Sequence, residues 1–179
     1  MIKIKMLPRT PELMHGRDWN GENPAGWFVT EKLNGCRCYW DGTTASSKDG
    51  NAITLPARIR DALPPIPLDG EIYAGRGSLE ISRRAVQYNQ WTPKCQFVAF
   101  DRPNIIGNLR ERTRNMSHHY GFSITPYICE SYAELMDDLR HIQEGGGEGL
   151  MIHSPLQTRY EPGRTSRLLK VKHVLPLLD

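Results

Sequence analysis

The stretch FVTEKLNGCR, residues Phe28 to Arg37, combines an apolar run, a turn pair and two cations. The apolar run predicts a strand that ends near Lys32, because Asn34-Gly35 is a typical turn pair. A second short strand is predicted to follow the turn. Lys32 should therefore lie at the rigid end of a strand with Arg37 close by, which suits the binding of an anion. The alternative is an exposed lysine beside a hairpin.

The composition indicates one globular domain without a stabilising metal or disulfide. The chain has 179 residues, which is long enough to bury its own core. Its net charge of +3 is compatible with a nucleotide or nucleic-acid partner but does not require one. No apolar run reaches the length of a membrane span, and residues 1–8 lack the apolar segment of a secretory signal. The four cysteines form no C-x-x-C pair, so we expect reduced cysteines and a cytoplasmic location without membrane contact.

Hydrophobic patterning predicts an α+β fold of mixed, mainly antiparallel sheets flanked by helices. Residues 1–26 are rich in Pro, Gly and Asn and are predicted to be irregular. Strands are predicted at 27–32, 36–41, 43–47, 68–73, 95–101, 124–130, 149–153 and 168–174. Helices are predicted at 56–62, 79–88, 109–120 and 131–143, the last with a capping box at Ser131 and Glu134.

Five short polar clusters coincide with the ends or centres of these strands. They are Lys32 with Arg37, Asp69 with Glu71, Phe100 with Asp101, Glu148 behind three glycines, and Lys170 with Lys172. Lys170 and Lys172 alternate with apolar residues, so both should project from one face of their strand. Cations, carboxylates and an aromatic ring together suit a nucleoside triphosphate. A structural network of ion pairs is the alternative.

In order and spacing, these clusters resemble the motifs of the covalent nucleotidyltransferase superfamily. The similarity is to the nucleotidyltransferase domain of small ATP-dependent DNA ligases of bacterial and phage type. The K-x-D-G-x-R, D-G-E, aromatic, E-G-x-M and K-x-K motifs correspond to Lys32–Arg37, Asp69–Glu71, Phe97–Asp101, Glu148–Met151 and Lys170–Lys172. The resemblance implies an ATP-grasp-like fold around a nucleotide cleft. It also implies that residues 1–179 are one nucleotidyltransferase domain, with the OB-fold domain of DNA ligases absent from this chain.

The same resemblance implies a role in catalysis for Lys32. Lys32 would attack the α-phosphate of ATP and carry AMP as a phosphoramidate. AMP would then pass to the 5′-phosphate of a nick, and the 3′-OH would seal it, as in DNA repair and replication. Lys170 and Lys172 would hold the α-phosphate as negative charge develops.

The remaining candidate residues would bind the nucleotide and Mg²⁺. Glu71 and Arg37 would contact the ribose or the nearby phosphate, Phe100 would stack on adenine, and Glu31 with its backbone would read the adenine edge. Glu148 would help hold Mg²⁺, since this cation prefers oxygen ligands. Lys48 and Arg164 are candidates for further phosphate contact. The expected partner is nicked duplex DNA, bound by a monomer. Arg83 and Arg84 are the better candidates for contact with DNA. The basic cluster Arg110, Arg112 and Arg114 is more typical of a solvated helix face.

One motif residue departs from the DNA ligase pattern. Asn34 stands where DNA ligases usually carry Asp, which keeps the size but loses the charge. An RNA ligase of the same superfamily is therefore an alternative, and a capping guanylyltransferase is a more distant one. A catalytically silent nucleotide- or DNA-binding module is the third hypothesis, and the retention of the other motif residues disfavours it.

Overall fold

The computed structural model describes residues 12–116 and 124–173. Ten strands lie in this part of the chain: β1 Met14–Asp18, β2 Phe28–Lys32, β3 Cys36–Trp40, β4 Ala45–Ser47, β5 Ala52–Ile53, β6 Leu68–Tyr73, β7 Gln96–Asp101, β8 Tyr127–Ile128, β9 Gly149–His153 and β10 Gly163–Val171. Four helices accompany them: α1 Ala57–Arg60, α2 Leu79–Tyr88, α3 Leu109–Thr113 and α4 Tyr132–Glu144. Among the described residues, no helix is long and apolar enough to cross a membrane.

The strands form two five-stranded sheets. The first sheet has the order β1-β10-β9-β2-β8, and the second has the order β5-β4-β3-β6-β7. All pairs are antiparallel except β1 with β10. The predicted α+β class with mainly antiparallel sheets is confirmed.

Each sheet buries one face against helices. On the first sheet, Leu135 and Leu139 of α4 pack with Ile152 and Val171. On the second sheet, Ala85 of α2 belongs to the same core as Cys38, Ile72 and Phe97. Because side chains alternate along a strand, the residues between these apolar positions point to the opposite faces. Those two inner faces enclose a cleft to which both sheets contribute.

Strand register arranges the inner face of the first sheet in rows. Lys32 lies opposite Gly149, Thr30 opposite Met151, and Phe28 opposite His153. On the other side of β9, Met151 pairs with Lys170 and His153 pairs with Leu168. The inner face is therefore charged at the Lys32 end and apolar at the Phe28 end.

The structure differs from the predicted elements mainly near residues 14–18 and after residue 113. Residues 14–18 were expected to be irregular but form β1, which pairs in parallel with β10. The helix predicted over 109–120 is interrupted, because Arg114 leaves the helical conformation (φ −54°, ψ 129°) and Asn115 has a φ of 61°. The strand predicted over 124–130 is reduced to β8. Parts of three predictions, at residues 1–11, 117–120 and 174, lie outside the described residues.

Candidate active site

Lys32 stands at the end of β2 and makes an ion pair with Glu148. The Lys32 Nζ lies 2.6 Å from Glu148 Oε2, and the Lys172 Nζ lies 2.8 Å from Glu148 Oε1. About a fifth of each of the Lys32 and Glu148 side chains is exposed. Burial opposes ionisation of Glu148, but hydrogen bonds from Lys172 and Lys32 outweigh it and lower the pKa of this carboxyl. The predicted convergence of Lys32, Glu148 and Lys172 is thus present in the structure.

Gly35 brings the turn after Lys32 into contact with β6. A Cβ at this position would lie 2.3 Å from the carbonyl oxygen of Ile72 and 2.8 Å from Glu71 Cγ, so only glycine fits. The Gly35 backbone N–H donates to Glu71 Oε1 at 3.0 Å. The turn that follows Lys32 therefore also fixes the carboxylate of Glu71.

Glu71 is a carboxylate held in a largely buried position of the cleft. Burial raises the pKa of Glu71 to about 7, against the opposing effects of Arg37, the Gly35 N–H and Lys32. Near neutral pH, Glu71 therefore exists in both its protonated and its ionised form. A ligand hydroxyl can meet either an acceptor or a donor at this position, depending on whether the carboxyl is protonated.

Arg37 is held by hydrogen bonds within the protein. Its Nε and Nη2 donate to the two carboxylate oxygens of Asp69 at 2.6 Å each, and Nη2 also donates to the carbonyl oxygen of Met14 at 3.0 Å. The Tyr160 hydroxyl donates to Asp69 Oδ2 at 2.6 Å. The guanidinium carbon of Arg37 lies 4.9 Å from the centre of the Phe100 ring, a cation–π distance. Sequence reasoning missed Asp69 as the anchor of Arg37, although Asp69 belongs to the same motif as Glu71.

A cavity of about 910 Å³ lies between the two sheets. Of the candidate residues, it is lined by Glu31, Lys32, Arg37, Lys48, Glu71, Arg83, Phe100, Arg164 and Lys170. Glu148 and Lys172 join this group through their contacts with Lys32. His15 also lines the cavity, and its pKa is lowered by burial and then by Arg37, with smaller contributions from Arg164 and Lys48. Arg164 and Lys48 both line this cavity together with His15.

Two candidate residues have partners that the sequence did not predict. The Lys170 Nζ lies 3.0 Å from Asp18 Oδ1 on β1. Glu31 accepts two hydrogen bonds from Arg76, from Nε and Nη2 at 2.9 Å each. Glu31 and Lys32 are neighbours on β2, so their side chains point to opposite faces of the strand. No local signal in the sequence indicates this contact of Arg76 across to β2.

Arg112 is not part of a solvated helix face, as had been expected for its basic cluster. It is fully buried and donates to Asp101 through Nε at 2.7 Å and Nη2 at 2.9 Å. Its Nη2 also donates to Gln157 Oε1 at 3.1 Å, and its Nη1 donates to the carbonyl oxygen of Gly107 at 2.7 Å. The pattern of alternating arginines gave no sign of this, because the partner carboxylate lies on a distant strand.

The residues at Lys32 also suit a magnesium ion bound together with phosphates. No group of three or more His, Cys, Asp or Glu side chains in the described ranges could hold a metal by itself. Mg²⁺ is commonly bound by one or two carboxylates plus substrate phosphates, rather than by a complete protein cage. Glu148, ionised and partly exposed beside Lys32, can supply one such carboxylate.

The chain is similar to DNA ligases in sequence and in fold. No family model matches the chain. A DNA ligase of Haemophilus influenzae is 30% identical over an alignment of 171 residues, and the match covers 90% of this chain and 63% of that protein. A Lig E DNA ligase structure is 29% identical with a TM-score of 0.77, covering 92% of this chain and 69% of that one. The Chlorella virus DNA ligase-adenylate superimposes with a TM-score of 0.76 at 20% identity, over 90% of this chain and 67% of that one.

Two facing sheets around a lysine-bearing cleft define the class of nucleotidyltransferase-type folds. Within this class, the chain is similar in sequence and in fold to the nucleotidyltransferase domain of ATP-dependent DNA ligases. It spans 63% of the length of the curated Haemophilus relative.

Proposed function

We propose that this chain carries out the adenylyl transfer of an ATP-dependent DNA ligase, with residues 1–179 acting as its nucleotidyltransferase domain. The Lys32 amine attacks the α-phosphorus of ATP, a P–N bond forms, and pyrophosphate leaves. The AMP group then passes to a 5′-phosphate and frees the lysine. Attack of a 3′-OH on the activated phosphate joins the strands and releases AMP.

The observation that supports this proposal best is the convergence of Lys32, Glu148 and Lys172 beside a nucleotide-sized cavity. A lysine acts as a nucleophile only as the free amine, so Lys32 must leave its ion pair with Glu148 and lose a proton before attack. Bound Mg²⁺ would neutralise phosphate charge, and Glu148 is the residue that would hold it. Release of Lys32 and occupation of Glu148 are thereby linked.

The other residues have roles that follow from their positions. Lys170 and Lys172 stabilise negative charge on the α-phosphate, while Lys48 and Arg164 serve the rest of the triphosphate. Glu71 binds a ribose hydroxyl, and Phe100 stacks on adenine. Arg37 acts near the ribose from its fixed position on Asp69. The backbone beside Glu31 reads the adenine edge, since the Glu31 side chain is held by Arg76.

The polynucleotide substrate is proposed from the relatives and from the basic groups at the cavity. The Haemophilus influenzae relative is a DNA ligase, and Arg83 lines the cavity on the side of α2. We infer that a nicked duplex DNA places its 5′-phosphate over the cavity mouth, bound by a monomeric protein in the cytoplasm. Comparing sealing of nicked DNA with sealing of RNA ends tests this choice.

The first test is the mass of the intact protein after incubation with ATP and Mg²⁺. We expect the mass to rise by one AMP, and peptide mapping to locate the group on Lys32. Lys32→Ala should show no gain while keeping its thermal unfolding midpoint. Labelled GTP in place of ATP provides the nucleotide control. An equal mass gain in Lys32→Ala would remove Lys32 from the nucleophile role.

A further inference from the structure

His153 is a cavity-lining residue that the reaction described above does not use. It lies on the inner face of β9, is 6% exposed, and borders the cavity between the sheets. Its Nδ1 is buried and has no hydrogen-bond partner among the residues that the structure describes. Buried polar groups in native proteins are nearly always paired, so an unpaired nitrogen at a ligand cavity requires an explanation.

The imidazole of His153 is neutral at physiological pH. Burial lowers its pKa to about 3, and the nearby charges of Arg112 and Arg37 act in the same direction. A neutral imidazole carries one hydrogen-bond donor and one acceptor. It can therefore pair with an uncharged heterocycle but offers no charge to a phosphate.

The distance from Lys32 places His153 where the base of a nucleotide would lie. Lys32 is opposite Gly149 on β9, and His153 is four residues further along the same strand. At the rise of an antiparallel strand, the backbones of Gly149 and His153 are ~13 Å apart, which leaves room between the Lys32 end and His153 for a phosphate and a ribose. Phe28 and Leu168 flank His153 on the neighbouring strands, and both are largely buried. Arg37 borders the same cavity, so His153 is one of a few polar groups among apolar side chains, a combination that is typical of ligand pockets.

We propose that His153 is a base-recognition residue that forms a hydrogen bond with the purine ring of the bound nucleotide. The proposal rests on the proposed function, because it requires the α-phosphate of that nucleotide to lie at Lys32. Purines present ring-nitrogen acceptors and, in adenine, an exocyclic amino donor. Either the donor nitrogen or the acceptor nitrogen of the imidazole can therefore find a partner. A half-turn of the ring exchanges Nδ1 and Cδ2 without changing its outline, so the hydrogen bond to a ligand would select the orientation of the ring.

The experiment compares adenylation with ATP and with analogues that each lack one polar atom of the base. The analogues are the triphosphates of 1-deazaadenosine, 3-deazaadenosine, 7-deazaadenosine and purine riboside. For the wild type, one analogue should reduce kcat/KM about tenfold, the value of one hydrogen bond to a buried partner. His153→Leu should lose about tenfold with ATP but show no additional loss with that analogue. His153→Gln, which keeps a donor and an acceptor, should restore most of the discrimination.

Leu168→Ile is the matched control, because it alters packing beside His153 without touching a polar atom. It should leave the ranking of the analogues unchanged, and thermal unfolding of each variant identifies any that fail to fold. If His153→Leu does not fold, His153→Phe, which also lacks a hydrogen-bonding group, replaces it. Identical analogue rankings in the wild type and in the variant without a hydrogen-bonding group would overturn the inference. Absence of adenylation in the wild type with every nucleotide would instead overturn the proposed function.

Discussion

Two charged clusters at the cleft differ in burial and in the cation that each one uses. The first is the Lys32–Glu148–Lys172 cluster, whose side chains are between a fifth and two-fifths exposed. The second is the Arg112–Asp101 pair, which is essentially inaccessible. Lysine is a mobile point charge that can lose its proton, whereas arginine is a planar fork that remains charged. Under the proposed function Lys32 has to exchange its partner, whereas the Arg112–Asp101 pair is closed to solvent and holds two elements together.

The largest expected effect comes from replacing Lys32 with arginine, whose guanidinium stays charged at neutral pH. Lys32→Arg keeps a positive charge that can pair with Glu148, but a guanidinium supplies no free amine at neutral pH. Adenylation should fall by roughly a thousandfold or more, as for loss of other nucleophiles. The unfolding free energy should change by less than about 1 kcal/mol, because Lys32 is partly exposed. Intact mass and urea denaturation measure the two effects, and a variant that still accumulates AMP on residue 32 would contradict the comparison.

The second prediction breaks the buried pair instead. Arg112→Met removes the partner of Asp101, a carboxyl whose burial raises its pKa and whose hydrogen bonds from Arg112 compensate for that burial. Leaving one member of a buried pair alone is expected to reduce the unfolding free energy by about 3–5 kcal/mol. Urea denaturation followed by tryptophan fluorescence measures the loss.

The control for this variant is an arginine in an exposed pair. Arg84 lies 3.6 Å from Glu80 on α2, and both side chains are more than three-fifths exposed. Arg84→Ala should change the unfolding free energy by less than about 1 kcal/mol. Equal losses in Arg112→Met and Arg84→Ala would remove the distinction between the two kinds of cluster.

The smallest expected effect concerns Glu71, whose burial is intermediate between those of the two clusters. Its pKa is about 7 in the folded chain and near 4.5 as a free group, so between these values the folded state keeps a proton that the unfolded state releases. This contribution to stability is therefore largest below pH 4.5 and is lost as the pH rises through 7. Between pH 5 and pH 8, the unfolding free energy of the wild type should fall by on the order of 2 kcal/mol relative to that of Glu71→Gln. Urea denaturation at each pH measures this difference. If the unfolding free energies of the two proteins change in parallel with pH, the prediction is wrong.

The sequence predicted the parts of this site that depend on local signals. Asn34-Gly35 marked the end of β2, and the alternation at Lys170 and Lys172 placed both lysines on the inner face. Pairings between distant segments were missed, because nothing near Met14–Asp18 indicates that β10 completes its hydrogen bonds. Arg112 was assigned to a solvated face because its partner Asp101 lies on a different element, strand β7, and the helical pattern of arginines does not reveal that contact. The roles of the individual site residues remain predictions.

The parallel pairing of β1 with β10 joins the two ends of the described chain. During synthesis, β1 emerges early but has no partner until residues 163–171 have left the ribosome. The ion pair between Asp18 and Lys170 depends on the same pairing of β1 with β10. Partial chains that end before β10 should therefore expose an open sheet edge and bind no nucleotide.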